Sequence, residues 1–237
     1  MHLVKVHIIQ SKFPTRKHYP FDLDFLRKTT TLDFQTPVTF FVGENGTGKS
    51  TLLKAIAVAS GVNIWQGERR MRYAANPYEE QLFRALDLKW QKGQVQGSYF
   101  DSQVFRNFAQ ILDDWATNDP GVLAYFGGKS LMQQSHGQSL MSFFHSRFQI
   151  EGLYILDEPE TALSPKSQLE LLTLLKNAGD AGHAQFIIAT HSPILLACPE
   201  SCIFSFDHTP VKTVEYEQTD HYRIYRRFME DRAHYLR

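Results

Sequence analysis

Eight consecutive residues, Gly43-Glu44-Asn45-Gly46-Thr47-Gly48-Lys49-Ser50, set glycines, a lysine and a hydroxyl at the spacing G-x-x-x-x-G-K-[ST]. That spacing suits a bound phosphate chain. Glycines let the backbone wrap closely around the anion, loop and first-turn N–H groups point inward, and the dipole of a following helix favours negative charge. Lys49 would reach the β- and γ-phosphates, the Ser50 hydroxyl would ligate Mg²⁺, and Thr51 beside them is expected to join the loop residues in binding the nucleotide. The flanks agree. Val38-Thr39-Phe40-Phe41-Val42 reads as a buried strand, and Ser50 to Ala57 has helical composition. A glycine-rich turn before an ordinary helix is the plainer alternative, and it leaves the four fixed positions unexplained.

A second group ends another apolar run, Leu153-Tyr154-Ile155-Leu156-Asp157-Glu158-Pro159. A buried strand of this kind delivers two carboxylates to the carboxyl edge of a sheet, beside the phosphate loop. Asp157 would stand in the Mg²⁺ shell, the Walker B role. Glu158 would polarise a water for in-line attack on the γ-phosphate. The same letters also fit a strand ending at a solvated turn; their pairing with a complete phosphate loop favours chemistry. A third group, Ala189-Thr190-His191-Ser192-Pro193, again follows an apolar strand, so His191 is expected at the same edge. A neutral imidazole there would hydrogen-bond a γ-phosphate oxygen or the attacking water and hold the geometry of Glu158. Most of the ten histidines are expected at the surface or in the core, and His191 alone has this location.

Three segments must position these groups. Residues 1 to about 65 read as short strands near 3–9, 21–26, 32–34 and 38–42, then the phosphate loop and its helix. Residues from about 66 to 149 turn to Gln, Arg and aromatics with amphipathic stretches such as Val104 to Leu112, which predicts an inserted helical subdomain. From about 150 strand and helix alternate again: Gly152–Leu156, Ser167–Asn177, Gln185–Thr190. Apolar strands alternating with helices predict an α/β fold with a mainly parallel sheet covered by helices.

Composition narrows the class. Lys plus Arg and Asp plus Glu balance at 25 each, so no global electrostatic footprint for nucleic acid or anionic membrane is present. The apolar stretches, Pro193 to Pro199 among them, fall far short of the roughly 20 residues of a membrane helix. The N-terminus alternates like a strand and has no signal-peptide core, so a cytoplasmic protein without a transmembrane segment is expected. Cys198 and Cys202 lack further ligands at zinc spacing and read as buried thiols.

In this order the three groups resemble the ABC-type ATPase superfamily. The resemblance implies a P-loop NTPase (ABC/RecA-like) core, a single domain over 1–237 with its nucleotide-binding core at about 1–65 and 150–237. It also supplies a fourth motif, a helix-opening Leu-Ser-Gly-Gly-Gln. The matching stretch is Gln134-Ser135-His136-Gly137-Gln138, in which His136 replaces the first Gly and Gln134 the Leu. A Ser hydroxyl and glycine N–H groups at a helix start make an anion site. In the family that site takes the γ-phosphate held by the other subunit, so Ser135, Gly137 and Gln138 are carried over as nucleotide contacts of a homodimer. Asp157 to Pro165, Ala189 to Leu196 and the closing Tyr216 to Tyr222 are more similar to small stand-alone ATPases of the SMC/RecF-like and overcoming-lysogenization-defect-like branch than to transporter subunits. For the family's glutamine loop the candidate is Gln103, as a Mg²⁺ and water contact, or a plain polar residue opening a helix. For its adenine-stacking aromatic the candidate is Tyr19, or a core residue.

Too few residues separate Ser50 from Ser135 for a coiled-coil arm, and no nuclease half is evident. Arg69, Arg70 and Arg72, with Tyr73 and Tyr78, would pair phosphates and stack bases of a nucleic acid, or form a solvated face. Three readings follow: a soluble ATPase coupled to a nucleic-acid or protein partner in repair or defence, the ATP-binding subunit of a membrane transporter, and a non-hydrolysing nucleotide sensor. The ending Ser164-Pro165 and the altered signature favour the first over the second, and Glu158 argues against the third.

Overall fold

A computed structural model of the chain describes residues 1–64, 76–101, 105–119, 121–123, 128, 130 and 135–236. In chain order its strands are β1 (Leu3–Ile8), β2 (Thr31–Asp33), β3 (Val38–Val42), β4 (Asn63–Ile64), β5 (Leu86–Trp90), β6 (Gly97–Asp101), β7 (Gly152–Asp157), β8 (Ala184–Ala189), β9 (Cys202–Ser205) and β10 (Lys212–Thr213). The α-helices are α1 (Lys49–Ser60), α2 (Phe105–Asn118), α3 (His136–Arg147), α4 (Pro165–Asp180), α5 (Pro193–Leu196) and α6 (Asp220–Glu230).

Seven strands form one sheet in the order β10-β9-β3-β8-β7-β6-β4, parallel throughout except for the antiparallel edge pair β9 and β10. β2, β1 and β5 form a separate antiparallel sheet. Side-chain alternation explains why the central strands read as unbroken apolar runs. On β7, Leu153 and Ile155 face α1 and the small sheet, while Tyr154 and Leu156 face the layer of α3, α4 and α5. With both faces covered, neither set of positions is left for polar residues.

α1 lies between the two sheets, with Leu52, Leu53, Ile56 and Ala57 fully buried. The phosphate loop is thereby clamped at the root of a core helix. On the opposite face Phe148 packs edge-on against Phe186 at 4.8 Å and stacks on Phe144 at 5.1 Å. The buried Tyr154 beside them donates its hydroxyl to the carbonyls of Arg147 and Ile150, satisfying the polar tip of a large buried ring.

Two sequence expectations need correction. Helical character does not begin at 66, since β5 and β6 lie within 66–149 and belong to the two sheets. The alternation Leu86-Asp87-Leu88-Lys89-Trp90 suits a strand with one solvated face, and helices begin at Phe105. Residues 21–26 form no strand. Phe25 and Leu26 sit in a 3₁₀ turn, Asp24–Arg27, and both are buried together with Phe21, a spacing that a two-residue alternation cannot place on one face. Among the described residues, no helix is long and apolar enough to cross a membrane.

Candidate functional site at the carboxyl edge of the sheet

Because β3, β6, β7, β8 and β9 are parallel, their C-terminal ends meet at one edge. The residues just beyond those ends are the phosphate loop, Asp157, His191 and Asp207. Four separate stretches of sequence are thus gathered by one topology, as expected for ligand sites in open α/β sheets.

The loop from Gly43 to Gly48 turns into α1 through Gly48 at φ +98°, where a Cβ would lie 2.6 Å from the Phe25 ring. Left-handed backbone and this close approach both require glycine. Lys49 is 4% exposed, and its ammonium donates to the carbonyls of Gly43 at 2.7 Å and Glu44 at 2.9 Å. Burial lowers the Lys49 pKa, against the opposing pull of Glu158, Asp207 and Asp157. Thr47 donates its hydroxyl to the Glu44 carbonyl, and the Glu44 N–H donates to Asp207 Oδ1 at 2.8 Å. Asn45 and Gly46 form the exposed crest.

Behind the loop the Ser50 hydroxyl donates to Asp157 Oδ1 at 2.9 Å, and the Tyr99 hydroxyl donates to Asp157 Oδ2 at 3.1 Å. Burial raises the Asp157 carboxyl from 3.8 to about 6, while those two hydrogen bonds pull it down. Tyr99, buried beside Asp157, is held above its ordinary value by the same desolvation.

Glu158 takes left-handed backbone, φ +47°, which is rare for a side chain with a Cβ and marks a position the surroundings over-determine. Its N–H is held by the Ala189 carbonyl at 3.0 Å. The strained turn swings its carboxylate to 3.6 Å from His191 Nε2. His191 is pinned at its backbone, where its N–H donates to Glu160 Oε1 at 2.6 Å. Its other ring nitrogen, Nδ1, shares a hydrogen bond of 3.0 Å with His221 Nε2. Burial, and then the Lys49 charge, lowers the pKa of His191; burial, then His191 and Lys49, lowers that of His221. His191 Nε2 is buried and has no hydrogen-bond partner among the described residues.

A cavity of about 190 Å³ sits over this edge, with Gly48, Lys49, Ser50, Thr51 and Glu158 in its wall. Tyr19 closes one side, its hydroxyl 2.8 Å from Thr51 Oγ1 and its ring 40% exposed. It is therefore not a core residue. A neighbouring cavity of about 260 Å³ shares Tyr19 and Thr51.

Ser135 caps α3 in a reciprocal box: its hydroxyl accepts from the Gln138 N–H at 3.4 Å, and its own N–H donates to Gln138 Oε1 at 3.1 Å. Ser135, Gly137 and Gln138 are not in the wall of the phosphate-loop cavity. Gly137 abuts the turn after Glu158, where a Cβ would stand 3.0 Å from the Ala162 carbonyl. Gln103, Gln134, Arg69, Arg70, Arg72 and Tyr73 lie outside the described residues. Tyr78 is half-buried and stacks on His18 at 5.8 Å.

Four site residues escape the sequence reading: Tyr99, Glu160, Asp207 and His221. Asp207 follows an apolar strand, as Asp157 does, and that signal was there to be read. His221 stands in the stretch Tyr216–Tyr222 that resembles the compact ATPases, but no spacing in the sequence ties it to His191, which it meets across 30 residues at the start of α6.

For Mg²⁺, the donors present are Ser50 Oγ and Asp157 Oδ1, adjacent and oxygen-only. That set fits a cation that takes one or two protein oxygens and completes its shell from water and phosphate. Among the described residues no cluster of three or more His, Cys, Asp and Glu stands ready to hold a metal by itself.

Residues 138–197 match the family described as "AAA domain, putative AbiEii toxin, Type IV TA system", and residues 20–72 match a family described as "AAA domain". No curated protein matches the chain significantly in sequence. Among solved structures, cbiO1 from Clostridium perfringens, part of the ABC transporter complex cbiONQ, is similar with a TM-score of 0.53 and 16% identity, covering 97% of this chain and 96% of that one. The SMC head domain from Thermotoga maritima is similar with a TM-score of 0.50 and 14% identity, covering 91% of this chain and 100% of that one. The fold is that of the ABC/SMC-like P-loop ATPases, and the sequence carries AAA-domain patterns on both sides of the site.

Proposed function

We propose that the chain binds Mg·ATP at the phosphate loop and hydrolyses it in a head-to-tail homodimer, in the service of a nucleic-acid or protein partner. The observation that carries the reading is the meeting at one edge of a Lys49–Ser50–Asp157 phosphate and cation cradle with a Glu158–His191 pair 3.6 Å apart. The first set holds a triphosphate; the second has the composition to work on a water at its end.

Two loop carbonyls accept from Lys49 and keep a buried cation solvated. A triphosphate exchanges those neutral acceptors for charged ones and gains charge-assisted hydrogen bonds. Tyr19, at the cavity rim, is placed to stack on the base. Bound Mg²⁺ would be held by Ser50 and Asp157 and would neutralise charge on the β- and γ-phosphates. Glu158 then accepts a proton from the attacking water, while His191 Nε2 orients the water or a γ-phosphate oxygen. The signature residues Ser135, Gly137 and Gln138 lie outside the cavity of their own chain, which supports a role on a partner's nucleotide. A family described through a type IV toxin–antitoxin system fits a defence role better than transport.

The test is steady-state ATP turnover with Mg²⁺ by the purified chain, alone and with DNA or RNA added, against Glu158→Gln. Turnover lost in the variant with nucleotide binding kept supports the reading. Tight ATP binding without any turnover in the unaltered chain would make it a nucleotide-sensing module instead.

A further inference from the structure

We infer that His221 is a positioning residue that donates its Nε2–H to Nδ1 of His191 and so holds the His191 ring with its own N–H on Nε2, facing Glu158. The catalytic consequence rests on the ATP-hydrolysis reading above; the tautomer itself does not.

Two imidazole nitrogens 3.0 Å apart bond only when one carries a hydrogen and the other a lone pair. The direction of that bond is decided on the far side of His191. Its Nε2 is buried, has no hydrogen-bond partner among the described residues, and stands 3.6 Å from Glu158 Oε1 at the edge where phosphate oxygens would lie. Glu158 and the phosphate oxygens are acceptors, and a water between them gives its hydrogens to those oxygens, so a lone pair on Nε2 would find no donor. Nε2 therefore carries the hydrogen, Nδ1 the lone pair, and His221 must be the donor. Burial and the nearby Lys49 charge disfavour a second proton on either ring.

The arrangement is also rigid where it needs to be. The His191 backbone is fixed by Glu160 Oε1 at 2.6 Å, so tilt and flip of the ring are the remaining freedoms. His221 is the second residue of α6, and Thr219 caps that helix by accepting from the Tyr222 N–H at 3.2 Å. Tyr222 packs on Tyr216 at 4.7 Å, and the Tyr216 hydroxyl donates to the Pro193 carbonyl at 2.9 Å, two residues beyond His191. A ring presented from such a helix start sets orientation, as outer partners of functional imidazoles do.

Two measurements test this. First, His221→Leu should lower kcat for ATP by about 10–100-fold, the usual range for such an outer partner, with KM changed less than about twofold. His221→Gln, whose side-chain N–H reaches the same place, should restore most of the rate. A rate unchanged by His221→Leu, or lost equally in the Leu and Gln variants, overturns the catalytic part. Second, nitrogen-15 spectra of the histidine rings in the nucleotide-free protein should show His191 protonated on Nε2 and bare on Nδ1. The opposite assignment overturns the tautomer claim whether or not the chain hydrolyses ATP. Absent turnover in the unaltered chain would instead overturn the ATPase reading and leave the spectra to decide the rest.

Discussion

Ser50 and Asp157, 107 residues apart in the chain, share a hydrogen bond of 2.9 Å that joins the first turn of α1 to the end of β7. Neither residue is special in type. What matters is that a hydroxyl and a carboxylate are brought within bonding distance beside a loop built to receive phosphates, with a tyrosine hydroxyl on the carboxylate's other oxygen. In the proposed reading, the pair is where phosphate binding and metal binding become one site.

Lys49→Ala should weaken ATP binding by about 100-fold or more, since the variant loses the cation that exchanges loop carbonyls for phosphate oxygens. The two carbonyls released from Lys49, those of Gly43 and Glu44, can take water in the space that the truncated side chain leaves, so the fold should survive. Calorimetric titration with Mg·ATP measures the loss. Near-normal affinity in a folded variant would sink the phosphate-loop assignment.

Glu158→Gln keeps the size of the side chain and removes the base and a negative charge beside the γ-phosphate. Turnover should fall by about 10²–10⁴-fold, the usual contribution of a general base, with ATP binding kept or tightened. His191→Ala should act in the same direction. Sedimentation of the Glu158→Gln protein should show a dimer with Mg·ATP and a monomer without it. A monomer under both conditions at micromolar concentration would refute the composite site.

The sheet and the three motif groups were legible because each obeys a local rule: an apolar run too short for a helix, a fixed glycine spacing, a carboxylate or imidazole at a strand end. The sequence hid what depends on packing at a distance. β5 lies in a segment whose overall composition looks helical, and only the alternation around Leu88 betrays it. Tyr99 reads as one more aromatic of the expected helical segment until β6 and β7 are set in register, with Asp101 beside Asp157. Glu160 and His221 act on His191 from opposite sides, one on its backbone and one on its ring, and that convergence exists only in three dimensions.

Cys198 is buried, and desolvation raises its thiol from 9.0 to about 11. The thiolate is the reactive form, so at pH 8 the folded protein should be alkylated at Cys198 far more slowly than after unfolding. Mass spectrometry of iodoacetamide-treated protein, native against denatured, measures the ratio. Equal rates in both states would mean that α5 and the residues after it open readily.

Asp157 carries a stability cost whose pH dependence has a definite sign. Its carboxyl is raised by burial from 3.8 to about 6, so the folded state holds a proton that the unfolded chain has already released. For an acid raised in this way, the destabilisation is absent well below pH 4, grows between about 4 and 6, and is complete above that window. A rise of that size corresponds to about 3 kcal/mol at most, and relaxation of the site would reduce the figure to roughly 1–3 kcal/mol. Asp157→Asn removes the charge while still able to accept from Ser50 and to pair with Tyr99. Without nucleotide and with chelator present, the variant should therefore melt several degrees above the unaltered chain at pH 7.5, and the gap should close toward pH 4. The same substitution should weaken both Mg·ATP binding and turnover, because the lost charge is the one that holds the cation. Thermal melts across that pH range read the first effect and calorimetry the second. A variant no more stable than the unaltered chain at pH 7.5 would mean that Asp157 is not held at the cost its burial implies, and that the edge of the sheet is wetter than its packing indicates.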